Sequence, residues 1–336
     1  MDDTEAQHGE RATGAPRALP RVLTAPVAAL RGALHGARHA YELYHPPQSR
    51  VGRTPENKGL PMRRMRVTTT LDGLALEAWV VPGDGPHTVV ICHGVERSKS
   101  STLSHIEMLH RAGYHVVAYD MRNHGESGGD RRFTRMARRY TSDLRDVLRE
   151  VAADPEVGGG GLAVLGFSFS AWPSLQVLSV ADAPALSAVI CDSGPMHDIP
   201  AGLAGFAELR RGGLPEHLRR RAAFTAYRRV FRTLAFHMLA VRNWPPDMAG
   251  VPTRLMFVAG AEDPVVSAAQ VGKVARALPG AHLWVAPTAM HMNAIRFDRQ
   301  EYRTQVLDFL ADAFTAGAGT SPPRDRHHHQ RTEADA

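Results

Sequence analysis

Lysine is scarce in this sequence, and arginine takes its place. Lys58, Lys99 and Lys273 are the only lysines among the 40 Lys and Arg side chains of the 336-residue chain, whose formal net charge is +6. This bias, beside abundant alanine and glycine, indicates genomic composition rather than a binding surface. The arginines are scattered, with no basic stripe that carries interleaved aromatic residues. The sequence therefore gives no indication of a nucleic-acid partner.

Cysteine is scarcer still, which excludes a disulfide framework. Cys92 and Cys191 are the only two, and both lie in apolar, strand-like runs. They predict buried free thiols, which a reducing cytoplasm permits. Neither belongs to a metal-ligand spacing, and we expect the run His327–His329 to be solvated in a polar tail. The sequence predicts no metal and no cofactor.

Long apolar runs are also missing. No segment reaches the roughly 18 continuous apolar residues that a membrane-spanning helix needs. The best N-terminal candidate, Val22–Leu30, contains Pro26, stops at Arg31 and lacks a convincing cleavage site, so we expect no signal peptide. The sequence predicts a cytoplasmic protein, with at most a peripheral contact with a membrane.

The first 61 residues separate into a tail, a helix and a linker. Residues 1–20 are polar and charged, and we expect them to be disordered. Within residues 21–61, the segment Val22–Leu43 predicts a basic helix, and a proline-containing linker follows it. The apolar positions of this helix recur near the helical period: Leu23, Val27, Leu30 and Leu34. This face predicts docking on the domain, with a weak contact to a membrane surface as the alternative.

Alternating strand and helix patterns predict the fold of the main domain. Arg66–Leu71 and Leu74–Val81 alternate apolar with polar residues, and Asp72-Gly73 suits a two-residue hairpin turn between them. Strand-like runs follow at 88–92, 115–119, 162–166, 187–192, 254–259 and 282–286, with helical patterns near 101–112, 137–153, 170–181, 267–278 and 299–314. This order predicts an α/β fold with a doubly wound, mostly parallel sheet of eight strands.

The regular alternation breaks between Pro195 and Pro252. The stretch is too long for an ordinary connection, so 195–250 predicts a helical cap inserted into a core formed by 62–194 and 251–316. The cap contains arginines that could favour an acidic acyl or lipid head group, although solvated faces are the simpler interpretation. They are Arg210, Arg211, Arg219, Arg220 and Arg221. Residues 317–336 predict a second disordered tail.

Ser168 is the candidate nucleophile because of where the sequence places it. A buried strand pattern ends in Gly166-Phe167-Ser168-Phe169-Ser170, and a helical pattern comes next. A sharp strand-to-helix turn exposes a serine hydroxyl and directs the next backbone amide to the same point. Small residues must lie two before and two after the serine, and Gly166 and Ser170 are small. A frame centred on Ser170 would place Trp172 at a crowded position. The alternative is an ordinary serine at a helix start.

An acid and a histidine follow at the ends of later strands. Asp263 comes after one apolar run, and His291 comes after another and a short loop. Ligand sites of open parallel sheets lie beyond the carboxyl ends of the strands, so we expect both side chains near Ser168. His291 is the candidate general base, and Asp263 is the candidate for orienting its imidazole. Asp192, which also ends a strand, and the adjacent Glu262 remain alternatives for the acid.

The order nucleophile, acid, histidine resembles the α/β-hydrolase superfamily over roughly residues 62–314. Val89–Val95 is similar to the strand and His-Gly turn that supplies one oxyanion donor in that superfamily. Tyr119–Ser127 resembles the Asp-x-Arg-x-His-Gly-x-Ser loop of the group with lysophospholipases, BEM46-like proteins and S33 peptidases. Tyr44–Pro47 and Leu71–Leu74 look most like the BEM46-like branch. Ser170 is a departure, since the family usually has glycine there.

The resemblance implies a serine hydrolase that needs no cofactor. It implies a triad of Ser168, His291 and Asp263, and an oxyanion hole formed by the backbone N–H groups of Val95 and Phe169. The expected reaction cleaves an ester, thioester or amide of a small-molecule or lipid-like acyl substrate through a Ser168 acyl-enzyme. A peptidase or acyltransferase with the same triad, and a non-catalytic binding protein on this scaffold, remain alternatives.

Overall fold

The computed structural model of the protein describes residues 21–47 and 52–318. The predicted tails at 1–20 and 319–336 lie outside the described residues. The C-terminal helix extends to Ala318, two residues into the segment that the sequence assigns to the tail.

An eight-stranded, mostly parallel sheet forms the centre of the molecule, and the predicted fold class is confirmed. The strands are β1 Arg63–Thr68, β2 Ala75–Val81, β3 Thr88–Cys92, β4 His115–Tyr119, β5 Leu162–Phe167, β6 Ala188–Asp192, β7 Arg254–Gly260 and β8 His282–Ala286. Their spatial order is β1-β2-β4-β3-β5-β6-β7-β8. β2 pairs antiparallel with both β1 and β4, and the pairs from β4 to β8 are parallel. The carboxyl ends of β5, β6, β7 and β8 therefore share one edge.

Helices cover both faces of the sheet. They are α1 Arg21–Tyr44, α2 Leu103–Arg111, α3 Met136–Ala153, α4 Ala171–Gln176, α5 Ile199–Leu209, α6 Glu216–Arg219, α7 Arg221–Leu239, α8 Ala268–Ala277, α9 Ala294–Phe297 and α10 Arg299–Ala318. Side chains of β3 alternate between two cores: Val90 and Cys92 pack towards α3, α4 and α8, whereas Val89 and Ile91 pack towards α2 and α10. Burial on both faces explains why β3 is a continuous apolar run.

The connection between β1 and β2 differs from the predicted two-residue hairpin turn. β1 ends at Thr68, so residues 69–71 are not part of the strand. Thr69 N–H donates to the carbonyl of Leu74, and Gly73 N–H donates to the carbonyl of Thr69. Gly73 has φ +67°, a left-handed conformation that glycine adopts without steric cost. The four residues 70–73 therefore form the loop, and the Asp72-Gly73 pair only ends it.

Helix α1 packs along α7 through small residues. A Cβ atom at Gly32 would lie 1.9 Å from the carbonyl oxygen of Ala223, and one at Gly36 would lie 2.5 Å from that of Tyr227. Tyr44 Oη donates to the carbonyl of Ala235, 2.8 Å away. The two helices therefore run parallel in register and in close contact.

Three of the four apolar side chains predicted to dock α1 face solvent instead, and the side chain of Leu23 lies outside what the structure describes. Val27, Leu30 and Leu34 are 49%, 60% and 63% exposed. Glycine and alanine provide the docking face because their small side chains let two helix backbones approach each other closely. Glycine and alanine contribute little to apolar periodicity, so this face is not visible in the sequence pattern.

The helical insertion lies over the carboxyl edge of the sheet. α5, α6 and α7 fall between residues 199 and 239, and α1 packs against this group. Among the described residues, no helix is both long enough and apolar enough to cross a bilayer. Cys92 and Cys191 are buried and free.

Candidate active site

Ser168 lies at the sharp turn where β5 gives way to a 3-10 turn and then α4. Its φ of +52° is in the left-handed region, which is uncommon for a residue with a side chain. A Cβ atom at Gly166 would lie 2.4 Å from Ser174 Oγ and 2.8 Å from the carbonyl oxygen of Ser170. At Gly194 a Cβ atom would lie 2.5 Å from the carbonyl oxygen of Ser168. Only glycine fits at these two positions, and the turn holds Ser168 above the sheet edge.

Ser170, the departure from the family pattern, fits this turn. Its side chain is fully buried, and its hydroxyl donates to the carbonyl of His93. The hydroxyl also lies 3.1 Å from Met121 Sδ. A buried carbonyl is costly when it has no donor, so this serine joins the turn to the end of β3.

Ser168, His291 and Asp263 form a continuous hydrogen-bonded chain. Ser168 Oγ lies 2.8 Å from His291 Nε2, and His291 Nδ1 lies 2.8 Å from Asp263 Oδ2. Because the carboxylate can only accept, Nδ1 carries the proton and the Nε2 lone pair faces the serine. The N–H groups of Val265 and Val266 donate to Asp263 Oδ1 over 2.8 and 2.9 Å. The structure thus brings together three residues that lie far apart in the sequence.

Asp192, the alternative acid, has other partners. Its Oδ1 accepts from Ser193 Oγ at 2.8 Å and its Oδ2 accepts from Tyr302 Oη at 2.9 Å. Burial raises the pKa of Asp192 to about 6. Ser193 Oγ in turn accepts from Met292 N–H, the residue after His291. Asp192 therefore supports the loop that carries His291 and forms no direct bond to the imidazole.

The two residues predicted to supply oxyanion donors flank the serine. Val95 follows the His-Gly turn at the end of β3, and Phe169 follows Ser168. Both line the same cavity as Ser168 and His291. The Phe169 ring contacts those of Tyr44 and Tyr140, with centroids 6.0 and 5.0 Å apart. These contacts fix the residue that follows the candidate nucleophile.

His93 and His124 are structural rather than catalytic in their geometry. His93 Nδ1 donates to the carbonyl of Gly94 and its Nε2 accepts from Met121 N–H. His124 Nδ1 donates to a carbonyl of its own loop and its Nε2 accepts from Glu96 N–H. Burial lowers the pKa of His93, and burial lowers that of His124 to about 3. Both rings are therefore neutral, and each ties the 120–127 loop to the turn after β3.

Arg122 anchors the 120–127 loop to the core of the protein. This guanidinium is fully buried and binds both oxygens of Asp143 at 2.6 Å and one oxygen of Asp72 at 2.7 Å. Bidentate geometry of this kind fixes orientation as well as charge. The motif residues of the loop thus shape the rim of the site.

A cavity of about 530 Å³ opens in front of Ser168 and His291. Its apolar wall is contributed mainly by residues of the 195–250 insertion: Met196, Ile199, Leu203, Phe206 and Leu239. Leu43 and Tyr44, at the end of α1, complete the wall. Neither residue is among the site residues that the sequence predicts. The only signal was that Tyr44 opens the segment resembling the BEM46-like branch.

None of the five cap arginines lines this cavity. Arg210 pairs with Glu96 at the rim and lies over the Phe206 ring, 4.6 Å from its centroid. Arg211 lies over the Phe224 ring at 4.5 Å. In the described part of the chain, no group of three or more His, Cys, Asp or Glu side chains is placed to hold a metal ion.

Comparisons with known proteins place this geometry in a family. The family model described as "Alpha/beta hydrolase family" matches residues 89–303. The uncharacterized protein YqkD of Bacillus subtilis is 42% identical over 50 residues, which are 15% of this chain and 16% of that protein. The polyketide transferase af380 of Aspergillus fumigatus is 32% identical over 109 residues, 32% of this chain and 37% of that protein. The chain therefore matches well under half the length of these curated relatives.

Solved structures resemble the whole domain. The esterase Pf2001 of Pyrococcus furiosus is 23% identical with a TM-score of 0.66, over 82% of this chain and 99% of that one. An esterase from Exiguobacterium antarcticum is 16% identical with a TM-score of 0.55, over 74% of this chain and 100% of that one. Such low identities show the shared fold alone, and the BEM46-like assignment stays a prediction. The family model matches more than half of the residues of this chain, and the chain therefore belongs to the alpha/beta hydrolase family.

Proposed function

We propose that this protein is a serine hydrolase that cleaves carboxylic esters through a Ser168 acyl-enzyme. The observation that carries the proposal is the unbroken Ser168–His291–Asp263 hydrogen-bond chain at the mouth of a largely apolar cavity. A serine hydroxyl is a weak nucleophile unless a base lies within hydrogen-bond reach. His291 Nε2 lies within that reach of Ser168 Oγ.

Each residue then has a definite role. His291 Nε2 takes the proton of Ser168 Oγ as the oxygen attacks the ester carbonyl carbon. The N–H groups of Val95 and Phe169 stabilise the negative oxygen of the tetrahedral intermediate. The intermediate collapses, the ester C–O bond breaks, and the imidazolium returns the proton to the leaving alcohol. Asp263 stabilises the imidazolium meanwhile.

Deacylation repeats these steps with water. His291 takes a proton from a water molecule that attacks the acyl carbon, and the proton passes to Ser168 as the acid leaves. The apolar wall indicates an apolar acyl group. We favour esters over amides because an alkoxide is a better leaving group than an amide nitrogen.

The test uses a p-nitrophenyl ester and two matched serines. Ser168→Ala should lower kcat by several powers of ten. Ser170→Ala removes a hydroxyl two residues away and should keep activity within about tenfold. Equal activity of wild type and Ser168→Ala would contradict the proposal. A fluorophosphonate probe that fails to label the wild type would favour a non-catalytic binding protein instead.

The identity of the acid can be tested separately. Asp263→Asn should lower kcat by about four powers of ten, as expected when the histidine loses its orienting carboxylate. Asp192→Asn should cost far less, since Asp192 binds Ser193 and Tyr302. A larger loss for Asp192→Asn would assign the acid to β6.

Acyl transfer to an acceptor other than water is a second candidate. It is favoured by the partial similarity to the polyketide transferase of Aspergillus fumigatus. Product analysis with a short alcohol present decides between the two, because a transferase forms a new ester in excess of free acid. A peptidase would instead cleave the matching amide at a comparable rate.

The exposed face of α1 supports a proposal about where the enzyme acts. Its apolar residues lie beside Arg31 and Arg38 on the same helix, an arrangement typical of helices that lie on anionic membranes. Substitution of Val27, Leu30 and Leu34 by serine should lower co-flotation of the protein with anionic vesicles and leave its melting temperature unchanged. Wild-type protein that does not float with such vesicles would refute this proposal.

A further inference from the structure

A second cleft of about 780 Å³ adjoins the catalytic cavity. It lies between the start of α3, the α4 helix, the β1–β2 loop and the residues that follow α7. Trp172 lines both cavities and is the only described residue that does so. The cleft is therefore separate from Ser168 yet shares one wall with the catalytic cavity.

The wall of this cleft is strongly basic. Four of its lining residues are arginines, Arg135, Arg138, Arg145 and Arg242, and none is acidic. Arg145 pairs with Asp146 and Asp182. Within the described residues the other three have no acidic partner. These three arginines are solvent-exposed and line one concave surface. Like charges gathered in a cleft focus the electrostatic field and attract anions.

Backbone and side-chain donors add to this charge. The first intrahelical bond of α3 comes from Arg139 N–H to the carbonyl of Arg135, so the preceding amides of Ala137 and Arg138 have no acceptor within the helix, and both residues line the cleft. The first turn of α3 contains no acidic residue. Trp172 Nε1 and Gln176 Nε2 are buried donors without an acceptor in the described part of the chain. The cleft therefore contains two buried N–H donors that no acceptor of the described residues satisfies.

We propose that this cleft binds a small anion that carries phosphate or carboxylate groups and is distinct from the ester that is hydrolysed. Guanidinium groups bind both kinds of group in bidentate geometry, and three unpaired ones face the cleft. The site joins cap and core, since Arg242 follows the end of α7 whereas Arg135 and Arg138 belong to the core. Leu239, three residues before Arg242, lines the catalytic cavity.

Calorimetric titration with pyrophosphate and with citrate tests the proposal at an ionic strength of about 0.15 M, where weak surface attraction is screened. The wild type should bind at least one of the two with one-to-one stoichiometry. The double variant Arg138→Gln/Arg242→Gln should bind at least about tenfold more weakly. The matched control is Arg229→Gln/Arg232→Gln, which removes two exposed arginines of α7 that lie outside the cleft and have no acidic partner among the described residues. It should bind as the wild type does.

The Ser168→Ala variant separates this proposal from the hydrolase proposal. Its affinity for the anion should equal that of the wild type, whether or not it hydrolyses esters. Absence of saturable binding of both probes would overturn the proposal. So would an equal loss of affinity in the cleft variant and the α7 control, because that result means non-specific attraction to a basic protein. A binding loss in Ser168→Ala would place the anion in the catalytic cavity instead.

Discussion

The contact between α1 and α7 depends on glycine at position 32, and a single methyl group tests it. A Cβ atom there would lie 1.9 Å from the carbonyl oxygen of Ala223, and real Cβ atoms essentially never approach closer than 3.0 Å. The obstacle is backbone in both helices, so no side chain can rotate away. Gly32→Ala must therefore move α1 outwards by about 1 Å.

The magnitude follows from two opposing effects. Overpacking of a close contact costs about 1–3 kcal/mol. Replacing glycine by alanine inside a helix stabilises the helix by about 1 kcal/mol. We expect Gly32→Ala to lower the free energy of unfolding by up to about 2 kcal/mol. Gly205→Ala in α5 is the matched control, since a Cβ atom there meets nothing within 4 Å. It should raise the free energy of unfolding by up to about 1 kcal/mol.

Urea unfolding of the two variants measures both effects, with limited proteolysis to detect release of α1 without global unfolding. The same shift should reach the active site, because Leu43 and Tyr44 at the end of α1 line the catalytic cavity. We expect a raised KM for apolar esters in Gly32→Ala only. If Gly32→Ala were as stabilising as Gly205→Ala and as resistant to protease as the wild type, α1 would not pack on α7 as described.

Three further predictions concern the core and the cavity. Burial raises the pKa of Asp192 to about 6 from its ordinary value of 3.8. The stability that this carboxyl contributes is therefore full below pH 4 and is lost as the pH rises through 6. Between these pH values the free energy of unfolding of Asp192→Asn should rise by up to about 3 kcal/mol relative to that of the wild type. Urea unfolding at each pH measures this difference, and a difference that does not change with pH would refute the pKa shift. Leu203→Trp should fill part of the cavity and lower kcat/KM for long-chain p-nitrophenyl esters at least about tenfold more than for the acetate. Equal losses across chain lengths would show that Leu203 does not bound the acyl site. Ser170→Ala should lower the free energy of unfolding by about 1–3 kcal/mol because the carbonyl of His93 loses its donor, whereas no loss would show that the carbonyl finds water.

The sheet could be predicted from sequence because its central strands are buried on both faces. The sequence runs of these strands are short and continuously apolar. The helix between two parallel strands makes a crossover connection that is almost always right-handed. The ends of β5, β7 and β8 then place Ser168, Asp263 and His291 at one edge before any coordinate is known. The predicted two-residue turn between β1 and β2 is wrong, although Asp72-Gly73 is a strong turn signal. In the structure, this dipeptide closes a longer loop.

Contacts between segments that are remote in sequence could not be predicted from sequence patterns. Helix α1 docks through Gly32 and Gly36, which have no side chain and so let the backbone of α7 approach closely. Residues without a side chain do not contribute to apolar periodicity. The basic cleft is defined by three unpaired arginines from two distant segments, which look like scattered surface charge in a chain so rich in arginine. Their meaning depends on whether an acidic partner lies beside each one, and pairing is a property of the fold. For this reason the sequence predicts the catalytic edge of the sheet, where strand order alone brings the residues together. The sites that need cap and core to meet become visible only in three dimensions.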